Sequence, residues 1–329
     1  MDAGLARAAL LALAAVLLPG CYYGHLIGGQ YDLLSRREPI ERLVARPDTD
    51  PVLRARLERA LAARRFAVAE LGLPDNRSYT TYADLGRPYA VWNVFAAPEL
   101  SLEAHEWCYL MVGCLAYRGY YDHARAEAEA GELRGEGLDA FVAGIPAYST
   151  LGWFDDPVLN TMLGADDADI AGSIFHELAH QVVFADGDTA FNESFATFVE
   201  QEGLRRYLRD APELAQAAAA RQQRESGRLA LIASARARLE AVYASDAPDA
   251  DKRERKRAEL EQLRREAGLA VEPNNAFLLP FGLYHRWVSA FGALLGAQRG
   301  EWRLFYAEVR KLAELDAEER TRRLEGLGR

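Results

Sequence analysis

His176-Glu177-Leu178-Ala179-His180 stands within an apolar stretch, and its two histidines are four residues apart. On a helix this spacing puts both imidazoles on one face, and the apolar neighbours predict that the helix is buried. Unpaired imidazoles inside a protein cost free energy, which a zinc ion bound by their nitrogens would remove. Glu177 would then stand beside the ion as a general base. The stretch predicts one Zn²⁺ ion held by His176 and His180. The alternative is two core histidines with a chance glutamate between them.

A second segment offers a third ligand. Phe191-Asn192-Glu193-Ser194-Phe195-Ala196-Thr197-Phe198-Val199-Glu200 contains two glutamates seven residues apart, which share one helix face. The segment resembles the second-helix motif of gluzincin aminopeptidases, in which the glutamate after the asparagine binds zinc. The resemblance implies that Glu193 is the third ligand. The gap after His180 is shorter than in that family and suits Glu200 better, so Glu200 stays the alternative. Its other readings are a surface acid or an anchor for a substrate ammonium group.

Further stretches extend the resemblance over most of the chain: Tyr22-Tyr23-Gly24 with Gly29-Gln30, the run 117–121, and the run 147–157. Together with the histidine motif they resemble a bacterial family of predicted aminopeptidases, many of them lipoproteins. The resemblance implies an α+β, zincin-like metallopeptidase fold, with a small antiparallel sheet and a mainly helical body. It also implies a zinc peptidase that acts on peptide substrates.

The exopeptidase label needs an acidic anchor for the free amino terminus of the substrate. The Gly-x-Met-Glu-Asn motif that supplies it in gluzincin aminopeptidases is absent from the sequence. Asp155, Asp156 or Glu200 could substitute. Two other functions therefore stay open: an envelope endopeptidase, and a non-catalytic zinc-containing lipoprotein that binds a partner.

Stabilising the oxyanion needs a hydrogen-bond donor opposite the metal. A tyrosine downstream of the third ligand often fills this role in gluzincin aminopeptidases, which makes Tyr284 the candidate, with Tyr148 and His285 behind it. The alternative for Tyr284 is ordinary core packing, because its neighbours are apolar.

The amino terminus predicts the cellular compartment. Residues 5–18 are apolar except for Arg7, are short for a membrane-spanning helix, and lead to Pro19-Gly20-Cys21. This resembles a bacterial lipoprotein signal and implies an acylated Cys21. Because Tyr22 rather than aspartate follows, the resemblance favours the outer membrane, facing the periplasm. An ordinary cleaved signal or an uncleaved anchor are the alternatives.

In an oxidising periplasm, Cys108 and Cys114 could pair. An extended strand would hold them about 20 Å apart, so pairing needs a chain reversal, which Gly113 could assist. Two buried free thiols are the alternative.

The 329-residue chain is 50% hydrophobic and carries a net charge of −10. No basic groove is apparent, so we expect no nucleic-acid partner. Hydrophobic spacing predicts a helix over 36–72, a β-hairpin over 78–97 and an edge strand from Asp139 to Thr150 that could bind substrate. The predicted division is a signal peptide 1–21, an α+β subdomain 22–165, metal-binding helices 166–210, a projecting, charged helical hairpin 211–270 whose partner is unknown, and a helical subdomain 271–329.

Overall fold

The fold combines many helices with three small sheets, which confirms the α+β class. The computed structural model describes residues 22–109, 113–147, 149–164 and 166–328, without the side chains of 282–284. Cys21, Tyr148 and the side chain of Tyr284 therefore lie outside the described part of the chain. Within the described residues, no helix has both the length and the apolarity needed to cross a membrane.

The amino-terminal region is helical but interrupted. Its elements are helix α1 (22–35), strand β1 (Glu38–Pro39), helix α2 (Ile40–Ala45) and helix α3 (Pro51–Leu71). The helical pattern predicted over 36–72 is confirmed for 40–45 and 51–71, but it forms two helices rather than one continuous helix. Asp50 starts α3 by accepting hydrogen bonds from the backbone of Val52 and Leu53, and Pro51 occupies the first turn. Gly72 then ends the helix in the left-handed conformation, with φ +64°.

The strands form separate small sheets rather than the hairpin predicted over 78–97. Strand β2 (Thr81–Ala83) pairs with β1 and, in parallel, with β8 (Val158–Leu159). Strand β3 (Val91–Pro98) instead lies between β6 (Arg118–Tyr120) and β7 (Leu138–Ile145), antiparallel to both. The hairpin prediction is wrong because both segments find partners far away in sequence. Strand β7 is at the sheet's edge, as predicted, but ends before Pro146.

Cys108 and Cys114, whose pairing the sequence left open, form a disulfide. Strands β4 (Trp107–Tyr109) and β5 (Gly113–Leu115) pair antiparallel, with Cys108 opposite Cys114. The Cα atoms of the two cysteines are 3.9 Å apart, and Gly113 has a φ of +73°. The chain therefore reverses here, as pairing requires.

The remaining elements are helices, apart from a short 3₁₀ turn at Asn160–Met162. They are α4 (His123–Gly135), α5 (Asp167–His180), α6 (Thr189–Tyr207), α7 (Pro212–Ala244), α8 (Asp249–Glu266), α9 (Asn275–Tyr284), α10 (Val288–Ala297), α11 (Trp302–Ala313) and α12 (Ala317–Leu327). Helices α3 and α6 both pack against α5, and the largest hydrophobic cluster joins them to the carboxy-terminal helices. Helix α5 is therefore central to the molecule.

Helices α7 and α8 form the predicted helical hairpin. The sequence predicted that this hairpin projects from the body, whereas in the structure it is attached to the body. Arg221 of α7 forms ion pairs with Asp166 and Asp169 at the start of α5. Lys256 of α8 lies 2.7 Å from Asp139 of β7. The hairpin's apolar stripe also packs against α9. Attachments along its length hold the hairpin against the body.

Candidate metal centre

The first two candidate ligands lie in the last turns of α5. The helix begins with a capping box, in which Asp166 and Asp169 exchange side-chain-to-backbone hydrogen bonds. Its apolar face is buried, with Phe175 fully inaccessible. This burial fixes the rotation of the helix, so His176 and His180 project together, with ring centroids 5.0 Å apart.

A short, tightly held connection brings α6 back toward these rings. Gly187 turns the chain with a φ of +74°, and Asp188 caps α6 by accepting a hydrogen bond from the backbone of Phe191. The buried amide of Asn192 accepts from the backbone N–H of Ala185 and donates to its carbonyl, both at 2.8 Å. This double hydrogen bond fixes the first turn of α6, where Glu193 follows directly.

Glu193 faces both imidazoles. Its Oε2 lies 3.3 Å from Nε2 of His176 and 3.7 Å from Nε2 of His180. One donor atom from each of the three residues lies within 4.8 Å of the others. Two imidazoles and one carboxylate are the donor set of many catalytic zinc sites, so this group could hold one metal ion.

Glu200 lies on the other side of His176. Its Oε2 is 3.1 Å from Nδ1 of His176, whereas Glu193 approaches Nε2. Gly172 of α5 makes room for this carboxylate, because an added Cβ there would stand 3.1 Å from Oε1 of Glu200. The two glutamates therefore meet opposite nitrogens of one ring.

The charge balance of the centre favours a cation. Glu177 and Glu193 are largely buried, and in the described part of the chain neither they nor Glu200 form an ion pair with arginine or lysine. Burial raises the pKa of Glu177, despite the opposing charges of the two histidines. Burial acts in the same direction on Glu193, but the charge of His180 and a hydrogen bond from His176 lower its pKa. Buried carboxylates whose basic partners are histidines alone are costly, and a divalent ion would offset this cost.

The same carboxylates shift the pKa of His176. Burial would lower its pKa, but hydrogen bonds to Glu193 and Glu200 raise it well above 6.5. This shift favours a second proton on the ring, which would supply part of the positive charge that the carboxylates need. A metal ion would replace that proton, as metal binding to histidine requires.

Asp156 supports the loop beside the candidate metal centre. The sequence analysis offered it only as a possible anchor for the free amino terminus of a substrate. Asp156 accepts hydrogen bonds from the backbone N–H and the hydroxyl of Thr150, both 2.9 Å long. The carbonyl of Asp156 accepts from the backbone of Tyr79, a fully buried residue with a φ of +61°. Burial raises the pKa of Tyr79, and the charges of Glu177 and Asp156 raise it further. Asp156 is thus engaged in holding the loop, while Asp155 is 3.6 Å from Arg77.

Of the candidate oxyanion donors, only His285 has a described side chain. His285 follows α9 directly and is exposed. Partial burial of its ring lowers its pKa, against the opposing charges of Glu225 and Glu200. The predictions for Tyr284 and Tyr148 concern atoms outside the described part of the chain.

The fold and this group of side chains define an α+β protein with a candidate metal centre. The family model described as "Putative aminopeptidase" matches residues 21–324, and the chain belongs to this family. Comparison with curated proteins and with solved structures finds no match. The family description indicates a peptidase.

Proposed function

We propose that this protein is a zinc-dependent peptidase, and that within this class it is an aminopeptidase. The observation that carries the proposal is the convergence of His176, His180 and Glu193 with the buried Glu177 next in sequence to the first histidine. The family description supports the aminopeptidase label. The zincin-like form of the fold belongs to the same proposal, supported by the two consecutive helices that carry these residues.

His176, His180 and Glu193 would hold one Zn²⁺ ion, which when bound lowers the pKa of a water molecule and polarises the peptide carbonyl. Glu177 acts as the general base. Its carboxylate accepts a proton from the attacking water and then passes it to the departing amine. Low solvent access around Glu177 suits this shuttle, because burial already raises its pKa toward the working range of a base.

Glu200 orients a ligand in this proposal rather than serving as one. By accepting a hydrogen bond from Nδ1 of His176, it leaves Nε2 of that ring for the metal. The arrangement fixes the tautomer of the imidazole and strengthens it as a donor. A hydrogen-bond donor for the oxyanion comes from Tyr284 in the proposal, with His285 as the alternative.

The competing proposal is that the protein binds a metal ion but does not catalyse a reaction. A site that only stabilises a fold gains nothing from a buried carboxylate beside its ligands, and ionised Glu177 costs free energy there. The buried position of Glu177 therefore favours catalysis. An endopeptidase would use the same residues, and only the substrate test separates it from an aminopeptidase.

The test compares the wild-type protein with Glu177→Gln and with Glu213→Gln, a matched change at an exposed position on α7. Aminoacyl fluorophores and amino-terminally blocked peptides serve as substrates, and zinc content is measured in parallel. We expect Glu177→Gln to retain zinc and lose activity by about a thousandfold or more, while Glu213→Gln stays active. Unchanged activity in Glu177→Gln overturns the mechanism. Cleavage of blocked peptides alone overturns the aminopeptidase label, and zinc binding without turnover supports the non-catalytic function.

We also propose that the protein works in the cell envelope, anchored through an acylated Cys21 in the outer membrane and facing the periplasm. The support is the sequence of residues 5–21 and the disulfide between Cys108 and Cys114, which suits an oxidising compartment. Labelling with an alkyne-bearing fatty acid tests the anchor: we expect label on the wild-type chain and none on Cys21→Ser. Equal labelling of both chains contradicts the proposal.

A further inference from the structure

Helix α1 is fixed to the body along its inner face. The side chain of Tyr121 donates to Oε1 of Gln30 at 2.7 Å, and its backbone N–H donates to Nε2 of His25 at 3.0 Å. Gly29 sits against the ring of Tyr121 so closely that a Cβ atom would overlap it. At the start of the helix, the Tyr22 hydroxyl donates to the carbonyl of Gly119. These contacts fix which face of α1 points outward.

The outward face of α1 is apolar. Tyr23, Ile27 and Tyr31 follow one another at intervals of four residues and are 42%, 71% and 73% exposed. Gly24 and Gly28 lie beside them with open space around their Cα atoms. Residues 22–31 contain no aspartate, glutamate, lysine or arginine. A helix face that contacts only water usually carries charges, so this face needs another explanation.

The position of this face along the chain identifies what covers it. The apolar run 5–18 leads to Cys21, and both an acylated Cys21 and a retained apolar anchor would hold the chain at a bilayer at this point. At a rise of 1.5 Å per residue, Tyr31 is only about 14 Å along the helix from Tyr22, the residue that follows Cys21 in the sequence. Tyrosines with an apolar ring and a polar hydroxyl favour the membrane–water interface. Three side chains expose far less than the roughly 800 Å² that each partner buries in a stable dimer.

We infer that the face formed by Tyr23, Ile27 and Tyr31 lies against the surface of the lipid bilayer. The protein then has two adjacent points of attachment, the anchor at residue 21 and the outer face of α1. Because the inner face of α1 is fixed to the body, this second contact sets the orientation of the whole molecule on the membrane. The inference rests on the proposed membrane attachment at residue 21 and is independent of the proposed peptidase activity.

The experiment uses the full chain reconstituted into vesicles of phosphatidylethanolamine and phosphatidylglycerol. A single environment-sensitive fluorophore is attached through Ile27→Cys or, as a matched control, through Val52→Cys, which replaces a residue that is 58% exposed on α3. The unsubstituted chain gives the background labelling. We expect lipids that carry a nitroxide to quench most of the fluorescence at position 27 and little at position 52. Adding Tyr23→Ser and Tyr31→Ser should reduce the quenching at position 27.

Three results overturn the inference. Equal quenching at positions 27 and 52 would mean that α1 does not touch lipid. A label at position 27 that is shielded but not quenched, with disulfide cross-linking between Ile27→Cys chains, would assign the face to a second copy. A chain that does not float with the vesicles would remove the attachment on which the inference depends. Aminoacyl-fluorophore cleavage in the same samples reports separately on the peptidase proposal.

Discussion

The ring of His176 has one glutamate at each nitrogen, and the two contacts predict different consequences. Glu193 approaches Nε2 of both histidines, whereas Glu200 meets only Nδ1 of His176. We expect Glu193→Gln to lose stoichiometric zinc, because it removes the charge of the carboxylate proposed as the third ligand. Glu200→Gln should keep one zinc ion but bind it about 10–100-fold more weakly, since partners of ligating histidines have effects of this size. Zinc content and competition with a chelating dye measure both quantities.

The two variants carry the same chemical change seven residues apart on one helix, so each controls for the other. Loss of zinc from Glu200→Gln together with full zinc binding by Glu193→Gln would reverse the assignment of ligand and orienting residue. Thermal unfolding in the absence of metal checks that both variants fold.

At the level of single residues, the sequence predicts only those features of the site that follow from local periodicity. The spacing of His176, Glu177 and His180 requires only that the segment is helical, and the structure brings both histidines together with Glu193. The contact of Glu200 with Nδ1 of His176 depends on how closely α5 and α6 approach, which Gly172 permits. No pattern within either helix reports that distance. Asp156 holds a separate loop through Thr150 and Tyr79, and these contacts between distant segments could not be predicted either.

The connection between α5 and α6 depends on one buried amide. Asn192 is 2% exposed and satisfies both backbone groups of Ala185. We expect Asn192→Ala to lower the free energy of unfolding by about 2–4 kcal/mol, because it leaves a buried N–H and a buried carbonyl without partners. Urea unfolding measures this loss. Gln201 lies on the same helix, and its side chain makes no hydrogen bond within the described part of the chain. Gln201→Ala should therefore lower the free energy of unfolding far less. Equal losses would contradict the role of Asn192.

Helix α6 also carries an ion pair that makes its stability depend on pH. Burial would raise the pKa of Glu202, but hydrogen bonds from Arg205 and Arg206 lower it below 4.5. A carboxylate whose pKa is lower in the folded state stabilises the protein above its unfolded-state pKa. That contribution is lost as the pH falls through the folded-state value. We expect Glu202→Gln to cost about 1 kcal/mol at pH 7.

The pH dependence of Glu202→Gln separates an ionic effect from a packing effect. The difference in unfolding free energy between wild type and variant should shrink as the pH falls from 5 toward about 3. Urea unfolding at several pH values measures it, with the exposed change Glu213→Gln as the control. A constant difference across this range would mean that the charge of Glu202 contributes nothing.

At the level of elements, the sequence predicted helices better than strand partners. The helices at 167–180 and 189–207 follow from capping residues and apolar spacing, which are local signals. The hairpin prediction for 78–97 failed because β3 is buried on both faces and pairs with β6 and β7, while β2 pairs with β1 and β8. Strand propensity identifies an extended segment but carries no information about a partner far away in the sequence.

The whole molecule depends on contacts that join its carboxy terminus to the candidate metal centre. The largest hydrophobic cluster includes residues from Leu33 to Leu324. Next to this cluster, the buried guanidinium of Arg320 on α12 donates hydrogen bonds to the carbonyls of Leu312, Ala313 and Leu315. It also donates to Asp188 at 2.6 Å, the residue that caps α6. The last helix is thereby connected to the turn that precedes Glu193.

This connection predicts that a change at Arg320 affects both stability and metal binding. Arg320→Met removes the partner of a carboxylate and of three carbonyls, so we expect it to cost about 3–5 kcal/mol. Arg322→Met, on the same helix but exposed, should cost about 0.5 kcal/mol or less. Urea unfolding of the metal-free proteins measures both losses.

Combining Arg320→Met with Asp188→Asn tests whether the two residues act as a pair. If they do, the double variant loses less stability than the sum of the single variants, because the second change removes a partner that is already unpaired. Zinc affinity should follow the same pattern, since Asp188 fixes the start of the helix that carries Glu193. Strictly additive losses, with zinc affinity unchanged in all three variants, would show that α12 stabilises the fold without acting on the centre. Non-additive losses in both quantities would show that the packing of the last helix determines the position of Glu193.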